Sequence, residues 1–467
     1  MTHPKHIHFI GICGVGMSAL AILWHKKGWK VTGSDVGFYP PISTHLQNNH
    51  INFYPGWHPE KIGFPEMVVV GNVAGSENPE WKYVQENNIP YLSYPELIAN
   101  NLVKEHSIVC AGTYGKTSST VLLSWILKNA DFKPAYMFGG LSLDLPESAD
   151  DPVDSLWSVL EGDEYKTSRW DNQAKFFSYR PTHLLLTAVE WDHADLYPTE
   201  ASYFGAFKKL VGLIPENGLI VASQNVKLKF PNPTILKTYG KNKGADYQYS
   251  DLKQTKDGII FNINYLNNIY QIHCPVMGEY MAENICGAFA MANEIGVPVD
   301  SIINGIANFH GIKRRLEKRG EINGAAIFDD IAHSPVKAKS ILETLRQIYS
   351  GKIYAIFEPN GGNRRPESEP QYDHAFKKAD EVIIPTLTKI KIDQNEEEKP
   401  FDGKKLSQVI AKTHKKVKFI GEDKKVIKYL TEKIQPGDAV VFMGSHGFRG
   451  MIEELVSPYL PSSTTSA

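Results

Sequence analysis

Short apolar runs recur along this chain and alternate with longer segments in which apolar residues return every three or four positions. In the first hundred residues the short runs are HIHFI, MVVVG and IPYLS, and the longer segments are ALAILWHKKG and PELIANNLV. Short apolar runs bounded by turn residues are typical of buried strands, whereas the longer spacing indicates helices. Strands that alternate with helices build parallel sheets, which bind ligands at the carboxyl ends of their strands. The pattern therefore predicts the α/β class.

The same alternation continues to the end of the chain and indicates three domains. With 467 residues there is room for about three domains of roughly 150 residues each. The first domain should end near Lys104 and Glu105, and the charged segment 309–324 suits a hinge before the last one. We expect domains at residues 1–105, 106–312 and 313–467. The run DQNEEEKP is expected to be a solvated loop, and the final PSSTTSA a frayed tail.

A Gly-rich turn follows the first predicted strand. It carries Gly11, Gly14 and Gly16, with Cys13 where the usual fingerprint has its middle Gly, and the next strand ends at Asp35. In a dinucleotide-type unit such a turn binds phosphate at a helix N-terminus, and the later acid binds a ribose hydroxyl. A lone Gly-rich turn is also common in ordinary strand–helix connections. The correctly placed Asp35 favours a Rossmann-like first domain that binds a nucleotide-linked ligand.

A second loop, VCAGTYGKTSST at residues 109–120, opens the predicted central domain. Gly112 and Gly115 allow the backbone to bend closely around a ligand. Lys116 can reach terminal phosphates, and the Thr117 hydroxyl can bind a magnesium ion. Cys110 stands where the general phosphate loop has Gly, and an ordinary turn with a solvated lysine is the alternative. We predict a P-loop-type α/β domain that binds a nucleoside triphosphate.

Two more predicted strands end in acidic or histidine clusters. The segment 155–170 is predicted to end its strand at Glu161, Asp163 and Glu164, and the segment 182–197 at Glu190, Asp192, His193 and Asp195. Magnesium prefers hard oxygen ligands, often a Thr hydroxyl and a carboxylate completed by phosphates and water. Thr117 and Glu161 fit that preference, and His193 is an acceptable ligand for a second ion. Each cluster alone is more typical of a solvated loop, and their conjunction beside a phosphate loop favours a metal site.

Composition narrows the class of protein. There are 50 basic and 52 acidic residues, so the net charge of -2 gives no basis for a nucleic-acid partner. The four cysteines are scattered and form no CxxC pair, which is typical of reduced thiols in a cytoplasmic protein. The chain lacks a signal peptide pattern and any apolar run near 18 residues, so no membrane span is expected.

Six separated motifs together resemble the Mur ligase family of peptidoglycan amide ligases. They are HFIGICGVGMSALA with VTGSD, AGTYGKTSST, LEGDEY, VEWDHAD, RRLEKRGE and FDDIAHSP. Within the family, GICG, GSDVGFYPPIST and EGDEY resemble the branch that joins UDP-N-acetylmuramate to the tripeptide L-alanyl-γ-D-glutamyl-meso-diaminopimelate in cell-wall recycling. The resemblance implies a Rossmann-like N-terminal domain for the UDP-sugar and a central P-loop ATPase domain. It also implies a C-terminal Rossmann-like domain for nucleotide and incoming amine.

The resemblance implies site residues position by position. The UDP-sugar site would comprise Gly11, Gly14, Gly16, Met17, Ser18, Asp35 and Asn72. The ATP site would comprise Gly112, Thr113, Gly115, Lys116, Thr117, Ser118, Asn284, Arg315, Asp330 and His333. Thr117, Glu161 and His193 would hold Mg2+, and Lys116, Glu161, His193 and Arg315 would be catalytic. ATP and Mg2+ are the implied cofactors.

The implied mechanism passes through an acyl phosphate. The lactoyl carboxylate of UDP-N-acetylmuramate attacks the γ-phosphate of ATP, and the amine of the peptide then displaces phosphate. Domain closure would bring Arg315 and Asp330 to the nucleotide and exclude water. All partners would be small molecules, with neither nucleic acid nor membrane, and the protein a cytoplasmic monomer or weak homodimer.

The chain departs from the family pattern at several positions. Tyr280 and Met281 replace a usual His-Asn pair before Asn284, which bears on adenine recognition. EPNGGNRR at 358–365 lacks the His-Arg pair of the L-alanine ligases, and its Arg364 and Arg365 either meet a peptide carboxylate or are solvated. Lys208 stands where several sister enzymes carry a carbamylated lysine, although the two nearest branches do not. The alternatives are a UDP-N-acetylmuramate–L-alanine ligase and a UDP-sugar or nucleotide binder without catalysis.

Overall fold

The protein is an α/β protein whose described residues form three sheets, as seen in a computed structural model. The structure describes residues 4–193, 196–228, 235–389 and 400–457. Asp195, most of the acidic run and the predicted tail lie outside these ranges. The chain divides into two compact units, one of residues 1–253 with 258–311 and the other of residues 254–257 with 312–467. The predicted α/β class is confirmed.

The first sheet is parallel and lies in the first unit. Its strands are β1 (His6–Ile10), β2 (Lys30–Asp35), β3 (Asn52–Pro55), β4 (Met67–Val70) and β5 (Tyr91–Ser93), in the order β3-β2-β1-β4-β5. Its helices are α1 (Val15–Lys26), α2 (Ile42–Asn48), α3 (Pro59–Ile62), α4 (Pro79–Glu86) and α5 (Tyr94–Asn101). Apolar residues on both faces of β1 are buried, with Ile7 and Phe9 in one core cluster and Ile10 in another. Burial on both faces explains why these strands read as continuous apolar runs.

The second sheet also lies mostly in the first unit and combines a parallel centre with antiparallel ends. Its strands are β6 (His106–Ala111), β7 (Ala135–Met137), β8 (Ala149–Asp150), β9 (Trp157–Gly162), β10 (His183–Leu186), β11 (Leu219–Ser223), β12 (Ile235–Gly240), β13 (Tyr247–Thr255), β14 (Gly258–Tyr265) and β15 (Asn268–Cys274). The order is β15-β14-β13-β12-β11-β10-β6-β9-β7-β8. The helices are α6 (Lys116–Asn129), α7 (Glu200–Val211), α8 (Glu279–Glu294) and α9 (Val299–Ala307), with a 3-10 helix at Lys175–Tyr179. β6 lies between β9 and β10, so the ends of these three strands meet at one edge.

The third sheet belongs to the second unit. Its strands are β16 (Glu317–Ile322), β17 (Ala325–Asp330), β18 (Ile353–Glu358), β19 (Glu381–Ile384), β20 (Val417–Phe419) and β21 (Ala439–Gly444), in the order β16-β17-β21-β18-β19-β20. The helices are α10 (Pro335–Ile348), α11 (Gly403–Ala411), α12 (Asp423–Lys433) and α13 (Met451–Val456), with 3-10 helices at Gly361–Arg364, Pro366–Tyr372 and Phe448–Gly450. β16 is antiparallel to β17 and falls inside the predicted hinge segment 309–324. The division between the two units follows Gly311, whose φ of 105° favours glycine.

His183 makes the stability of the first unit depend on pH. It begins β10 and packs beside Trp157 and His106, with ring centroids 5.3 and 6.0 Å away. Burial and the neighbouring His106 lower the pKa of His183 to about 4. The unfolded chain therefore takes up this proton near pH 6.5 while the folded chain does not, so stability is full above pH 6.5 and falls as the pH drops towards 4. We expect His183→Phe to be less sensitive to acid than the wild type when urea unfolding is followed by Trp fluorescence at pH 7.5 and 5. An equal loss in both proteins would contradict this assignment.

Among the described residues, no helix combines the length and hydrophobicity that crossing a bilayer requires.

Candidate functional site

The loop after β6 has the backbone geometry of a phosphate-binding loop. Gly112 and Gly115 have φ angles of 141° and 80°, in the region that favours glycine. A Cβ on Gly112 would lie 2.3 Å from the Thr187 hydroxyl, so the loop packs directly on the residues after β10. Helix α6 begins at Lys116, which directs its first backbone N–H groups and its positive dipole end at this loop. An anion is the ligand that this arrangement favours.

The ammonium group of Lys116 lies inside the loop. Its Nζ donates to the carbonyl of Gly112 at 2.6 Å and to Oε1 of Glu164 at 3.1 Å, and it lies 2.9 Å from Oε2 of Glu164. The side chain is only 15% exposed. The lysine therefore lies at the predicted phosphate loop, with its charge balanced by a carboxylate 48 residues further along the chain.

Thr117 and Glu161, the predicted metal ligands, present adjacent oxygen atoms. The Thr117 hydroxyl donates to Oε1 of Glu161 at 2.7 Å, and the Gly139 N–H donates to Oε2 at 2.6 Å. Within the described ranges, no three His, Cys, Asp or Glu side chains converge on a point that could hold a metal ion alone. This donor set fits Mg2+, which is usually held by one or two carboxylates and completed by phosphates and water.

His193 lies beside Glu164. Its Nε2 is 3.4 Å from Oε1 of Glu164, and the hydrogen bond with Glu164 raises the pKa of His193. The predicted strand 182–197 is wrong beyond its start, because β10 ends at Leu186. After this strand the Thr187 hydroxyl donates hydrogen bonds to the carbonyls of Ala111 and Tyr114, and residues 187–193 form a loop. His193 has a φ of 54° in that loop.

The first Gly-rich turn is held by Asp35. One carboxylate oxygen accepts the Cys13 N–H at 2.9 Å, and the other accepts the Val36 N–H at 2.7 Å. Gly16 leaves room for Tyr94, since a Cβ there would lie 2.6 Å from the tyrosine hydroxyl oxygen. The Ser18 hydroxyl donates to a carbonyl within α1, and Asn72 donates to the carbonyl of Lys166 at 2.9 Å. Asp35 thus shapes the turn in addition to its predicted contact with a ribose.

One cavity extends from the first Gly-rich turn to Glu161, the hydrogen-bond partner of Thr117. It has a volume of about 240 Å³ and is lined by Gly14, Gly16, Met17, Asn72, Tyr94, Glu161, Asp163, Lys175 and Tyr179, among others. Predicted sugar-site residues and the predicted metal ligand Glu161 therefore face the same space. Lys175 bonds to Asp163 here, and although burial alone would raise the pKa of Asp163, Lys175 holds it below its ordinary value.

Asn284 reaches the phosphate loop from α8. A Cβ on Gly115 would lie 2.4 Å from the amide oxygen of Asn284, and the Asn284 amide nitrogen is 3.9 Å from the sulfur of Met281. Both side chains are buried. Ser118 is buried in the first turn of α6, and Thr113 binds the carbonyl of Glu190 at 2.8 Å. Asn284 therefore packs directly against the loop within the first unit.

Arg315, Asp330 and His333 belong to the second unit. The Asp330 carboxylate ends β17, and it accepts the N–H groups of Leu316 at 2.6 Å and Ala332 at 2.7 Å. Burial raises the pKa of Asp330, and burial lowers that of His333, whose Nδ1 contacts the carbonyl of Ile331 at 2.8 Å. Arg315 is exposed. All three therefore lie at the carboxyl edge of the third sheet, where α/β proteins bind ligands.

Two residues singled out from the sequence have different surroundings from those weighed for them. Arg364 is not solvated, because it is 5% exposed and donates to the carbonyls of Pro359 at 3.2 Å and Thr388 at 2.9 Å. Lys208 is exposed on α7. The role of Glu164 and the position of Lys175 in the cavity were missed. The signal for Glu164 was its place in EGDEY, but a sequence cannot tell which acid of a cluster turns inward.

Three models of Mur ligase domains match successive parts of the chain. The family model "Mur ligase family, catalytic domain" matches residues 6–105, "Mur ligase middle domain" matches 110–292, and "Mur ligase, glutamate ligase domain" matches 314–446. The three-domain fold is confirmed by these matches together with the three sheets, whereas the boundaries after residues 105 and 312 stay a prediction.

Three similar proteins show how far the likeness extends. A UDP-N-acetylmuramate–L-alanyl-γ-D-glutamyl-meso-2,6-diaminoheptandioate ligase of Haemophilus influenzae is 31% identical over 77% of this chain and 81% of its own length. A UDP-N-acetylmuramate–L-alanine ligase of Desulfitobacterium hafniense is 28% identical over 95% of this chain and 97% of its own. The crystal structure of a murein peptide ligase from Psychrobacter arcticus superimposes with a TM-score of 0.69 at 26% identity, covering 97% of this chain and 98% of that one.

Proposed function

Because the chain belongs to the Mur ligase family, we propose that it is an ATP-dependent ligase that joins UDP-N-acetylmuramate to L-alanyl-γ-D-glutamyl-meso-diaminopimelate. The observation that carries the proposal is the cavity shared by Gly14, Gly16 and Asn72 from the first domain and Glu161 from the second. A sugar carboxylate bound at the first turn would there meet the phosphate end of a nucleotide bound at the second. The name of the Haemophilus relative supports the choice of peptide.

The residues of the first unit divide into two roles. The turn around Gly11, Gly14 and Gly16 holds the UDP-sugar, with Met17, Ser18, Asp35 and Asn72 beside it. The loop from Gly112 to Ser118 holds ATP, with Lys116 placed to neutralise the transferred phosphoryl group. Magnesium held by Thr117, Glu161 and His193 would supply further positive charge to the phosphates. The lactoyl carboxylate takes the γ-phosphoryl group, and the peptide amine then displaces phosphate to form the amide.

The second unit supplies the acceptor site and the remaining nucleotide contacts. Arg315, Asp330 and His333 serve the nucleotide. Farther along the same sheet edge is a cavity of about 440 Å³, lined by Thr386, Gly421, Glu422, Asp423, Lys424 and Arg449. Arg449 pairs there with Asp423 at 2.7 Å and with the buried Glu358 at 3.0 Å. A lining that carries both charges suits an acceptor with amine and carboxylate groups. We assign this cavity to the peptide.

The acceptor preference tests the proposal. Purified protein is given ATP, Mg2+, UDP-N-acetylmuramate and either the tripeptide or L-alanine, with ADP release and amide mass as readouts. We expect kcat/KM for the tripeptide to exceed that for L-alanine by about 100-fold or more, because a site built for many polar groups leaves them unpaired with a small substrate. Turnover with L-alanine alone would instead identify the alanine ligase. ADP binding without product from either acceptor would favour a nucleotide binder.

The cellular location and the oligomeric state are part of the same proposal. The four cysteines are all free, and Cys110, Cys274 and Cys286 are buried, which supports a reducing, cytoplasmic location. We propose a monomer or weak homodimer that works on small molecules.

A further inference from the structure

Glu164 is a buried carboxylate between Lys116 and His193 of the predicted ATP site. Its side chain is 1% exposed. Oε1 contacts Nζ of Lys116 at 3.1 Å, Nε2 of His193 at 3.4 Å and the hydroxyl of Tyr203 at 3.3 Å. Oε2 lies 2.9 Å from Nζ of Lys116, but it accepts no hydrogen bond from any described residue. The negative charge is therefore balanced chiefly by the ammonium group of the phosphate loop.

Binding of a nucleotide disturbs this balance. In phosphate loops the lysine reaches the terminal phosphates, so Lys116 must leave Glu164 when a nucleotide enters. A buried charge whose partner is removed is strongly unfavourable. Tyr203 is neutral and cannot replace the lysine. When Lys116 binds the nucleotide, Glu164 therefore needs another cation to balance its charge.

We propose that Glu164 exchanges Lys116 for a divalent cation when nucleotide binds, and that its carboxylate and His193 then bind this cation together. The inference rests on the proposed function, since it presupposes a nucleotide at the loop. It assigns to Glu164 a metal-binding role that the sequence motifs gave only to Thr117, Glu161 and His193. It also makes nucleotide binding and metal binding cooperative through one residue.

The surroundings of Glu164 suit this exchange. The Tyr197 hydroxyl donates to the backbone carbonyl of Glu164 at 2.6 Å, and Tyr203 contacts Oε1. These contacts keep the carboxylate in place when Lys116 departs. Oxygen from a carboxylate is the ligand type that Mg2+ prefers, and phosphate and water would complete the shell. The exposed Lys208 is not needed as a carbamylated ligand, because Glu164 already places a carboxylate beside His193.

The experiment measures coupling between ADP and metal. The Kd of ADP is determined by titration calorimetry in EDTA and at saturating Mg2+, for the wild type and for Glu164→Gln. We expect Mg2+ to lower the Kd of ADP for the wild type. The ratio of the two Kd values, without and with Mg2+, should be about 10-fold smaller for the variant, which is within the usual range of coupling between two sites. We also expect ADP without metal to bind Glu164→Gln more tightly than the wild type, because Lys116 no longer has to leave a carboxylate. Formation of Mg–ADP in solution is common to both proteins and cancels in the comparison.

Matched variants make the result specific. Glu80→Gln removes another fully buried carboxylate of the same unit, which bonds to Tyr54 at 2.9 Å, and should leave the coupling unchanged. Lys208→Arg should also leave it unchanged, whereas a loss of coupling there would favour a carbamylated lysine and overturn the exchange. If circular dichroism shows that Glu164→Gln does not fold, Glu164→Asp is tested in its place. Its Mn2+ affinity is measured by electron paramagnetic resonance in saturating ADP, and we expect this affinity to be weaker than that of the wild type.

Two outcomes separate the inference from the proposed function. Wild-type coupling in a folded Glu164→Gln overturns the exchange alone, as does wild-type Mn2+ affinity of Glu164→Asp where Glu164→Gln does not fold. Failure of the wild type to bind ADP under any condition overturns the proposed function and the exchange with it.

Discussion

Replacing Lys116 by Met lowers the rate of amide formation by roughly 10³-fold, the effect expected when a cation that stabilises phosphoryl transfer is removed. The side chain lies within the loop, with Nζ 2.6 Å from the carbonyl of Gly112, so a phosphate bound by the loop is within its reach. Methionine keeps much of the length and apolar contact of the lysine stem and removes only the charge. The measurement is ADP release and amide formation with UDP-N-acetylmuramate and the tripeptide.

The control for this prediction is Lys208→Met. Lys208 is exposed on α7, and its replacement should leave the rate within about twofold, because exposed substitutions away from a site have small effects. Circular dichroism must show that Lys116→Met is folded, since the change leaves Glu164 without its cation. If Lys116→Met keeps a tenth or more of the wild-type rate, Lys116 does not take part in phosphoryl transfer.

Replacing Arg314 by Met lowers the free energy of unfolding of the second unit by about 3 kcal/mol, the lower end of the cost of removing one partner of a buried ion pair. The Arg314 guanidinium donates to the carbonyls of Gly444 at 2.5 Å and His446 at 2.9 Å, and it contacts Asp329 at 3.3 Å. Asp329 is 2% exposed. Losing the arginine removes the donor to the carbonyls of Gly444 and His446 after β21, and it removes one of the two cations beside Asp329. All eight tryptophans lie in the first unit, so hydrogen exchange of peptides from β17 and β21 is the suitable measurement.

The control is Arg319→Met, which also removes a contact with Asp329, at 3.3 Å, but from a more exposed side chain that pairs with Glu453. Its loss should be about 1 kcal/mol or less. Equal losses of stability in the two variants would contradict the larger contribution that we assign to Arg314.

The defect of Arg314→Met should also depend on pH. Burial raises the pKa of Asp329 to about 6, and Arg314 opposes that rise. Removing the arginine raises the pKa further, so the folded variant binds a proton that the unfolded chain releases. Stability therefore increases as the pH falls, and we expect a smaller defect at pH 5 than at pH 8. A defect that grows at pH 5 would contradict this account.

Local motifs were predicted well because each depends on neighbouring residues. The glycines of GTYGKT have the positive φ angles that the loop requires, and α6 follows the loop directly from Lys116. The strand 182–197 was predicted too long, because apolar residues such as Ala188 and Val189 continue past the point where Thr187 leaves the sheet. Arg364 was weighed as a solvated residue, and its burial depends on carbonyls that no local pattern reveals.

The sequence by itself determined the α/β class, the two Gly-rich turns and the family, because strand periodicity, glycine conformation and motif spacing are properties of short segments. Only the tertiary structure decided which charges meet. Arg314 and Arg315 are adjacent, yet one reaches the end of β21, 130 residues away, and the other is exposed. Likewise Glu164, and not its neighbours in EGDEY, meets both Lys116 and His193. Side-chain direction and long-range pairing follow from how the strands pack, and a one-dimensional pattern does not contain them.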